Sequence, residues 1–260
     1  MIDTGANLTH ESFSADLDQV LERARASGVT RIVVTGASRQ GSIDALELAR
    51  RYPDYLVATA GNHPHHASDY DADMDALLRD LAGQPEVRAC GEAGLDYFRD
   101  FSPRPDQQRC FEAQLDIAVE AGKPIFLHQR DAHDDFIAMV RPFRDRLDRM
   151  VVHCFTDTRR ALFDYLDLDL HVGITGWICD ERRGHHLREL VANIPAGRLM
   201  IETDSPYLLP RDLKPKPKSR RNEPFHLPHI ARVIAECRDE TLEQTAAHTT
   251  ATAEAFFNLS

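Results

Sequence analysis

The stretch Cys90-Gly91-Glu92-Ala93-Gly94-Leu95-Asp96 decides how the rest of the chain is read. The residues before it, Glu86-Val87-Arg88-Ala89-Cys90, read as a short buried strand. At Gly91 that strand is expected to give out, leaving an acidic side chain at its C-terminal end. Three other apolar runs finish in the same manner. Pro124-Ile125-Phe126-Leu127 ends in His128, Met150-Val151-Val152 ends in His153, and Leu199-Met200-Ile201 ends in the pair Glu202/Asp204. Metal-assisted hydrolysis needs imidazole and carboxylate groups on rigid supports, with positions left open for water and substrate. Glu92, His128, His153 and Asp204 supply such a set. Delivered at the C-terminal ends of strands, they point to a metal-dependent hydrolase built on a barrel.

Working outward, apolar strands alternate with helical periodicity along the chain. Strand ends fall near residues 7, 35, 63, 92, 128, 153, 174 and 202, with spacings of 21 to 36 residues that each suit one βα unit. Eight units close a (β/α)8 TIM barrel, and residues 1–260 are read as one such domain. A doubly wound nucleotide-binding fold would need GxGxxG after its first strand, and Gly5-Ala6-Asn7 is not that fingerprint. Helices are expected over residues 13–26, 42–51, 74–82, 107–121, 132–144, 159–166 and 187–194.

With 260 residues, 42% hydrophobic and 28% charged, the composition is that of an ordinary globular protein. A net charge of −11 argues against nonspecific coating of nucleic acid but leaves room for a local basic patch. Five scattered cysteines without a CxxC suggest neither a disulfide framework nor a zinc knuckle, and a reducing cytoplasm is the expected setting. The start of the chain lacks a signal-peptide pattern, and no apolar run reaches membrane-spanning length. No extra apolar segment suggests obligate association, so a monomer is expected.

Two loops depart from the short connections usual in such barrels. Residues 96–103 follow the Glu92 strand, and residues 206–228 follow the eighth strand. The second loop carries six basic residues and one acidic between Arg211 and Arg221, a local +5. It is read as a phosphate-contacting segment rather than a merely solvated one, because it lies on the catalytic face.

At these residues the chain resembles the TatD-type metal-dependent nucleases of the amidohydrolase superfamily. The resemblance is carried by Gly61-Asn62-His63-Pro64-His65, Gly91-Glu92-Ala93-Gly94-Leu95-Asp96, His128-Gln129-Arg130-Asp131-Ala132, His153-Cys154-Phe155-Thr156, Glu202-Thr203-Asp204-Ser205-Pro206-Tyr207-Leu208 and Arg221-Asn222-Glu223-Pro224. These segments come in family order over nearly the whole chain. The bacterial TatD subfamily looks most similar, through residues 3–9 and the run Gly176-Trp177-Ile178-Cys179-Asp180-Glu181-Arg182-Arg183-Gly184.

The resemblance implies that Glu92, His128, His153 and Asp204 bind metal, with Glu92 able to bridge two divalent ions and His63 facing the scissile phosphate. It implies 3′-to-5′ exonuclease action on single-stranded DNA or RNA. One position departs from the pattern. Many relatives carry His-x-His at the end of strand one, where this chain has Gly5-Ala6-Asn7. That set favours Mg2+, held partly by substrate phosphate, over a tight two-zinc site, with Mn2+ or Zn2+ as alternatives.

The expected roles follow. Glu92 fixes the metal, Asp204 orients or deprotonates the attacking water, and His63 and Arg130 stabilise phosphoryl charge, although an ion pair or core hydrogen bond suits either as well. Lys216, Lys218, Arg220, Arg221 and Asn222 contact the substrate backbone. Trp177, with Phe98 and Tyr207, stacks on a base or packs the core. The alternatives are a TatD-like D-aminoacyl-tRNA deacylase, which keeps a basic rim, and a small-molecule amidohydrolase, which has no use for one.

Overall fold

A computed structural model describes residues 1–259. Among them, eight strands form one parallel sheet in chain order: β1 Ile2–Ala6, β2 Arg31–Val34, β3 Leu56–Ala60, β4 Val87–Asp96, β5 Ile125–Arg130, β6 Met150–Val152, β7 His171–Ile174 and β8 Leu199–Ile201. The sheet curls until its edges meet. Ala6 bridges Ser205, the Asn7 N–H donates to the Ser205 carbonyl at 2.7 Å, and the Asp204 N–H donates to the Gly5 carbonyl at 2.8 Å. The (β/α)8 barrel read from the sequence is therefore the fold.

The helices are α1 Leu17–Ala26, α2 Arg39–Arg51, α3 Ala72–Ala82, α4 Arg104–Ala121, α5 His133–Val140, α6 Arg159–Asp167, α7 His185–Leu190, α8 Leu227–Arg238 and α9 Leu242–Phe257. Several start on a side chain that satisfies a free backbone N–H: Ser38 for α2, Asp71 for α3, Thr158 for α6 and Thr241 for α9. Three expected helices come out shorter. Residues 11–13 form a separate 3-10 turn capped by His10, so α1 begins only at Leu17. Around Pro142, which has no N–H to donate, α5 gives way to a 3-10 turn, and α7 is likewise followed by one over Val191–Asn193. No helix among the described residues is long and apolar enough to cross a membrane.

The barrel interior is closed at its N-terminal end. Ile2, Val33, Val57, Ala89, Phe126, Val151 and Met200 point inward and pack against Ala253, Phe256 and Phe257 of α9 in one buried cluster. With that end plugged by apolar side chains, polar groups inside the barrel collect at the other end.

Strand β4 corrects the opening reading. It does not stop at Gly91 but runs on to Asp96, with a register shift between Cys90 and Ala93 before Gly94, Leu95 and Asp96 pair with His128, Gln129 and Arg130. Gly91 and Gly94 make this possible. Both have positive φ, 105° and 148°, and a Cβ would lie 2.1 Å from the Phe126 carbonyl oxygen or 1.9 Å from that of His128. Glu92 and His128 thus stand within strands rather than at their tips, which holds both on paired backbone.

Candidate active site

The site grows from Glu92, a buried side chain at the C-terminal mouth of the barrel. Three imidazoles converge on its Oε1: His153 through Nε2 at 2.8 Å, His128 through Nδ1 at 3.0 Å and His63 through Nε2 at 3.4 Å. Beneath them lies the Phe126 ring, its centroid 4.5 Å from that of His153. An apolar floor and polar walls make every charge here costly to leave unpaired.

Burial opposes ionisation of Glu92, yet the facing His153, His63 and His128 hold its carboxyl well below the usual carboxylate range. Burial also disfavours charge on His128 and His153. The carboxylates outweigh it and raise their proton affinity, Asp96 and Glu92 for His128, Glu92 and Glu202 for His153. A cation competes with protons for the same nitrogens.

His63 differs from its neighbours. It caps the turn Pro64–Asp69, and its Nδ1 accepts from the His65 N–H at 3.1 Å. Burial keeps this ring neutral, far below its ordinary pKa. A neutral ring that accepts at Nδ1 carries its proton on Nε2, so His63 presents a donor to the cavity rather than a lone pair.

Asp204 sits on the far side. Burial pushes its carboxyl up to about 7, with Glu92 and Glu202 adding to the effect and His153 opposing it. The Asn7 side-chain amide donates to its Oδ1 at 2.9 Å. Asn7 at the end of strand one therefore has a definite partner.

Gly5 on the same strand has a close neighbour too. A Cβ on Gly5 would lie 2.8 Å from Glu202 Oε2, and one on Gly173 would lie 2.7 Å from Oε1. The wholly buried Glu202 fills the cradle between these two glycines, faces His153 Nδ1 at 3.5 Å and accepts from the Cys154 N–H. It holds the back of the His153 ring, a role the bare sequence does not reveal.

A second pair was also missed. Asp96 accepts from the Phe98 and Arg99 N–H groups at 3.0 and 2.8 Å, and its Oδ2 meets His65 Nε2 at 2.7 Å. The spacing His63-x-His65 was the available signal, since one ring faces Glu92 and the next faces Asp96.

The donor set suits a divalent cation. A carboxylate oxygen has two lone pairs, so three ring nitrogens around one oxygen exceed what hydrogen bonding alone asks for. His128 Nε2 and His153 Nδ1 make no close hydrogen bond, and each faces a carboxylate at 3.5 Å, Asp96 and Glu202 respectively. The ligand atoms of Glu92 and His128 lie close enough together to share one ion, with the protonated Nε2 of His63 beside them. His153 Nε2 reaches the same Glu92 oxygen, so that oxygen is the common point of the set.

A cavity of about 550 Å3 opens above these groups, bordered by Arg99, Phe101, Arg130, Trp177 and Tyr207. Arg130 lies 4.0 Å over the Phe98 ring. Exposed aromatics are uncommon elsewhere on the described surface, yet Phe98, Phe101 and Tyr207 are 54%, 67% and 51% exposed at this rim. Such rings are platforms for flat ligands.

Of the expected backbone contacts, Lys216 and Arg220 line an adjoining hollow and Lys218 is exposed. Two others are corrected. Arg221 donates to the Ser12 carbonyl, to both Asp16 oxygens and to Glu223, which ties the long loop to the start of α1. Asn222 is wholly buried and donates to the Thr203 carbonyl at 2.9 Å. Asn222 thus steadies the turn that carries Asp204, while Arg221 anchors the loop to the barrel's first helix. Motif spacing marked them as important but could not tell which way their side chains point.

A barrel whose C-terminal mouth gathers histidines and carboxylates around one cavity defines a hydrolase of the metal-dependent barrel class. The family model described as TatD related DNase matches residues 2–258, and the chain belongs to that family. It is 50% identical over 259 residues to the 3′-5′ ssDNA/RNA exonuclease TatD of Erwinia tasmaniensis, covering 100% of both chains. It is 53% identical over 240 residues to the protein of that name from Edwardsiella piscicida, covering 92% of each. Among solved structures it is similar to YJJV, a TatD homolog from Escherichia coli, with a TM-score of 0.90, 27% identity and coverage of 99% and 98%.

Proposed function

We propose that this protein is a Mg2+-dependent nuclease that removes nucleotides from the 3′ end of single-stranded DNA or RNA. The observation that carries the reading is the convergence of His63, His128 and His153 on Glu92 inside a cavity rimmed by aromatic and arginine side chains. The names borne by the relatives supply the polarity and the single-stranded substrate.

Glu92, His128, His153 and Asp204 are the residues that would hold the metal. When bound there, a divalent cation polarises the scissile phosphate and makes its water more acidic. His63 donates from Nε2 to a phosphoryl oxygen, and the neutral state of the ring makes that proton available. Asp204 accepts a proton from the attacking water, held in place by the Asn7 amide at Oδ1. Arg130 adds positive charge at the mouth, steadied by the Phe98 face. The first strand offers an amide and a glycine where imidazoles would favour zinc, which supports Mg2+. The protein works as a monomer in the cytoplasm, where its five free cysteines stay reduced.

A substrate panel tests this reading. Labelled single-stranded DNA, an RNA oligomer, an aminoacylated tRNA and an amide ester are each incubated with and without Mg2+. Only the first two are expected to be cleaved, and only with the metal. Turnover of the aminoacylated tRNA with intact oligonucleotides would identify a deacylase instead. Turnover of the amide ester alone would identify a small-molecule amidohydrolase.

A further inference from the structure

The run Gly176–Gly184 takes no part in the chemistry above, yet the fold presses it against the catalytic cavity. A Cβ on Gly176 would lie 2.3 Å from the Leu208 carbonyl oxygen, and one on Gly184 would lie 2.1 Å from that of Trp177. The turn therefore packs directly on the loop after β8. Trp177 and Leu208 form a ridge, lining the catalytic cavity on one side and a second hollow of about 400 Å3 on the other.

Charge distinguishes this hollow from the others beside the mouth. The hollow reached past His10 and Tyr207 is lined by Asp16, Asp18, Asp44 and Glu47 against Arg51. The one beyond Arg130 is lined by Asp131, Asp134, Asp135 and Asp157 against Arg160. The hollow behind Trp177 reverses the balance, with Arg183, Arg211, Lys216 and Arg220 against Asp180. Asp180 acts as a bracket: it accepts from Arg183 Nε at 2.9 Å and faces Arg211 Nε at 3.7 Å. The Arg183 guanidinium is thereby held 4.3 Å above the Trp177 ring.

A cavity of about 550 Å3 is in the range that takes one small ligand, so a polymer being trimmed there must leave by a side route. A polyanion avoids carboxylate-lined walls and follows a basic groove with an aromatic step. We propose that the hollow behind Trp177 seats the nucleotides lying 5′ of the one being removed. Arg183, Arg211, Lys216 and Arg220 hold their phosphates, and Trp177 carries the strand across the ridge. This assignment rests on the nuclease reading given above.

The test is the ratio of kcat/KM for octathymidylate to that for dithymidylate, measured with Mg2+. A loss of folded protein lowers both values and leaves the ratio alone. The wild-type ratio is expected to exceed about tenfold, as charged contacts to phosphate allow. In Arg183→Ala/Arg211→Ala it should fall by about fivefold, Lys216 and Arg220 keeping the remainder, and the salt dependence of octamer binding should shallow by about 0.7 per lost contact. Arg211→Ala alone, whose ion pairs are long, should lower the ratio by about threefold. Glu181→Gln removes a carboxylate 3.7 Å from Arg211 and should raise the ratio, an effect that misfolding does not mimic. A wild type that favours the octamer and a double variant that favours it equally would overturn the subsite while leaving the nuclease reading intact. A wild type without length preference overturns it as well. A wild type that cleaves neither oligomer overturns both.

Discussion

Glu92→Gln is expected to lower kcat/KM on single-stranded DNA by about a thousandfold or more, which corresponds to several kcal/mol of lost transition-state stabilisation. The glutamine keeps the shape of the side chain but removes the charge on which three imidazoles converge. Without that charge a cation loses the anionic oxygen at the centre of its donor set, and the neighbouring imidazoles alone hold it weakly. The fold should persist, because a neutral amide is less costly to bury than a carboxylate and still offers an acceptor. A melting temperature within about 3 °C of wild type is the expected companion result. Activity within tenfold of wild type at saturating Mg2+ would remove Glu92 from the centre of the site.

Gly94→Ala should produce the largest loss of stability. At φ 148° an added Cβ would lie 1.9 Å from the His128 carbonyl oxygen, and backbone rather than a pliable side chain would have to yield. Gly94 and His128 are register partners in β4 and β5, so the clash falls on the strand pair that carries two of the site residues. A cost of about 4 kcal/mol or more is expected, lowering the melting temperature by roughly 10 °C. Metal affinity should fall with it, since the backbone of His128 moves. Gly197→Ala, where a Cβ meets nothing within 4 Å, serves as the matched control and should change stability by less than about 0.5 kcal/mol. Equal melting curves for the two variants would contradict the close approach of β4 and β5.

The eight strands were legible because each is a short apolar run bounded by a helix, and His63, Glu92, His128, His153 and Asp204 were legible because they interrupt or end those runs. The extension of β4 past Gly91 was not, since glycine usually marks a strand's end and only the approach of β5 shows what it is for. Helix α9 gave little signal either. It buries Thr245, Thr249 and Thr252, whose polarity hides the apolar face; Thr249 and Thr252 donate their hydroxyls back to the carbonyls of Thr245 and His248. Arg221 and Asn222 stood out by motif and basic charge, yet their side chains turn inward to Asp16 and Thr203. Glu202 and Asp204 looked equivalent two residues apart. The positive φ of Asp204, 53°, and the glycine cradle around Glu202 send them to different places.

The most direct measurement strips the protein with a chelator and follows one single-stranded DNA oligomer labelled separately at its 3′ and 5′ ends, before and after Mg2+ is restored. The stripped protein should leave both labels in full-length product. With Mg2+, the 3′ label should appear at once in mononucleotides while the 5′ label moves through a ladder of shortening fragments. Cleavage by the stripped protein at the restored rate, or no cleavage with Mg2+, Mn2+ or Zn2+, would contradict a metal-dependent nuclease centred on Glu92.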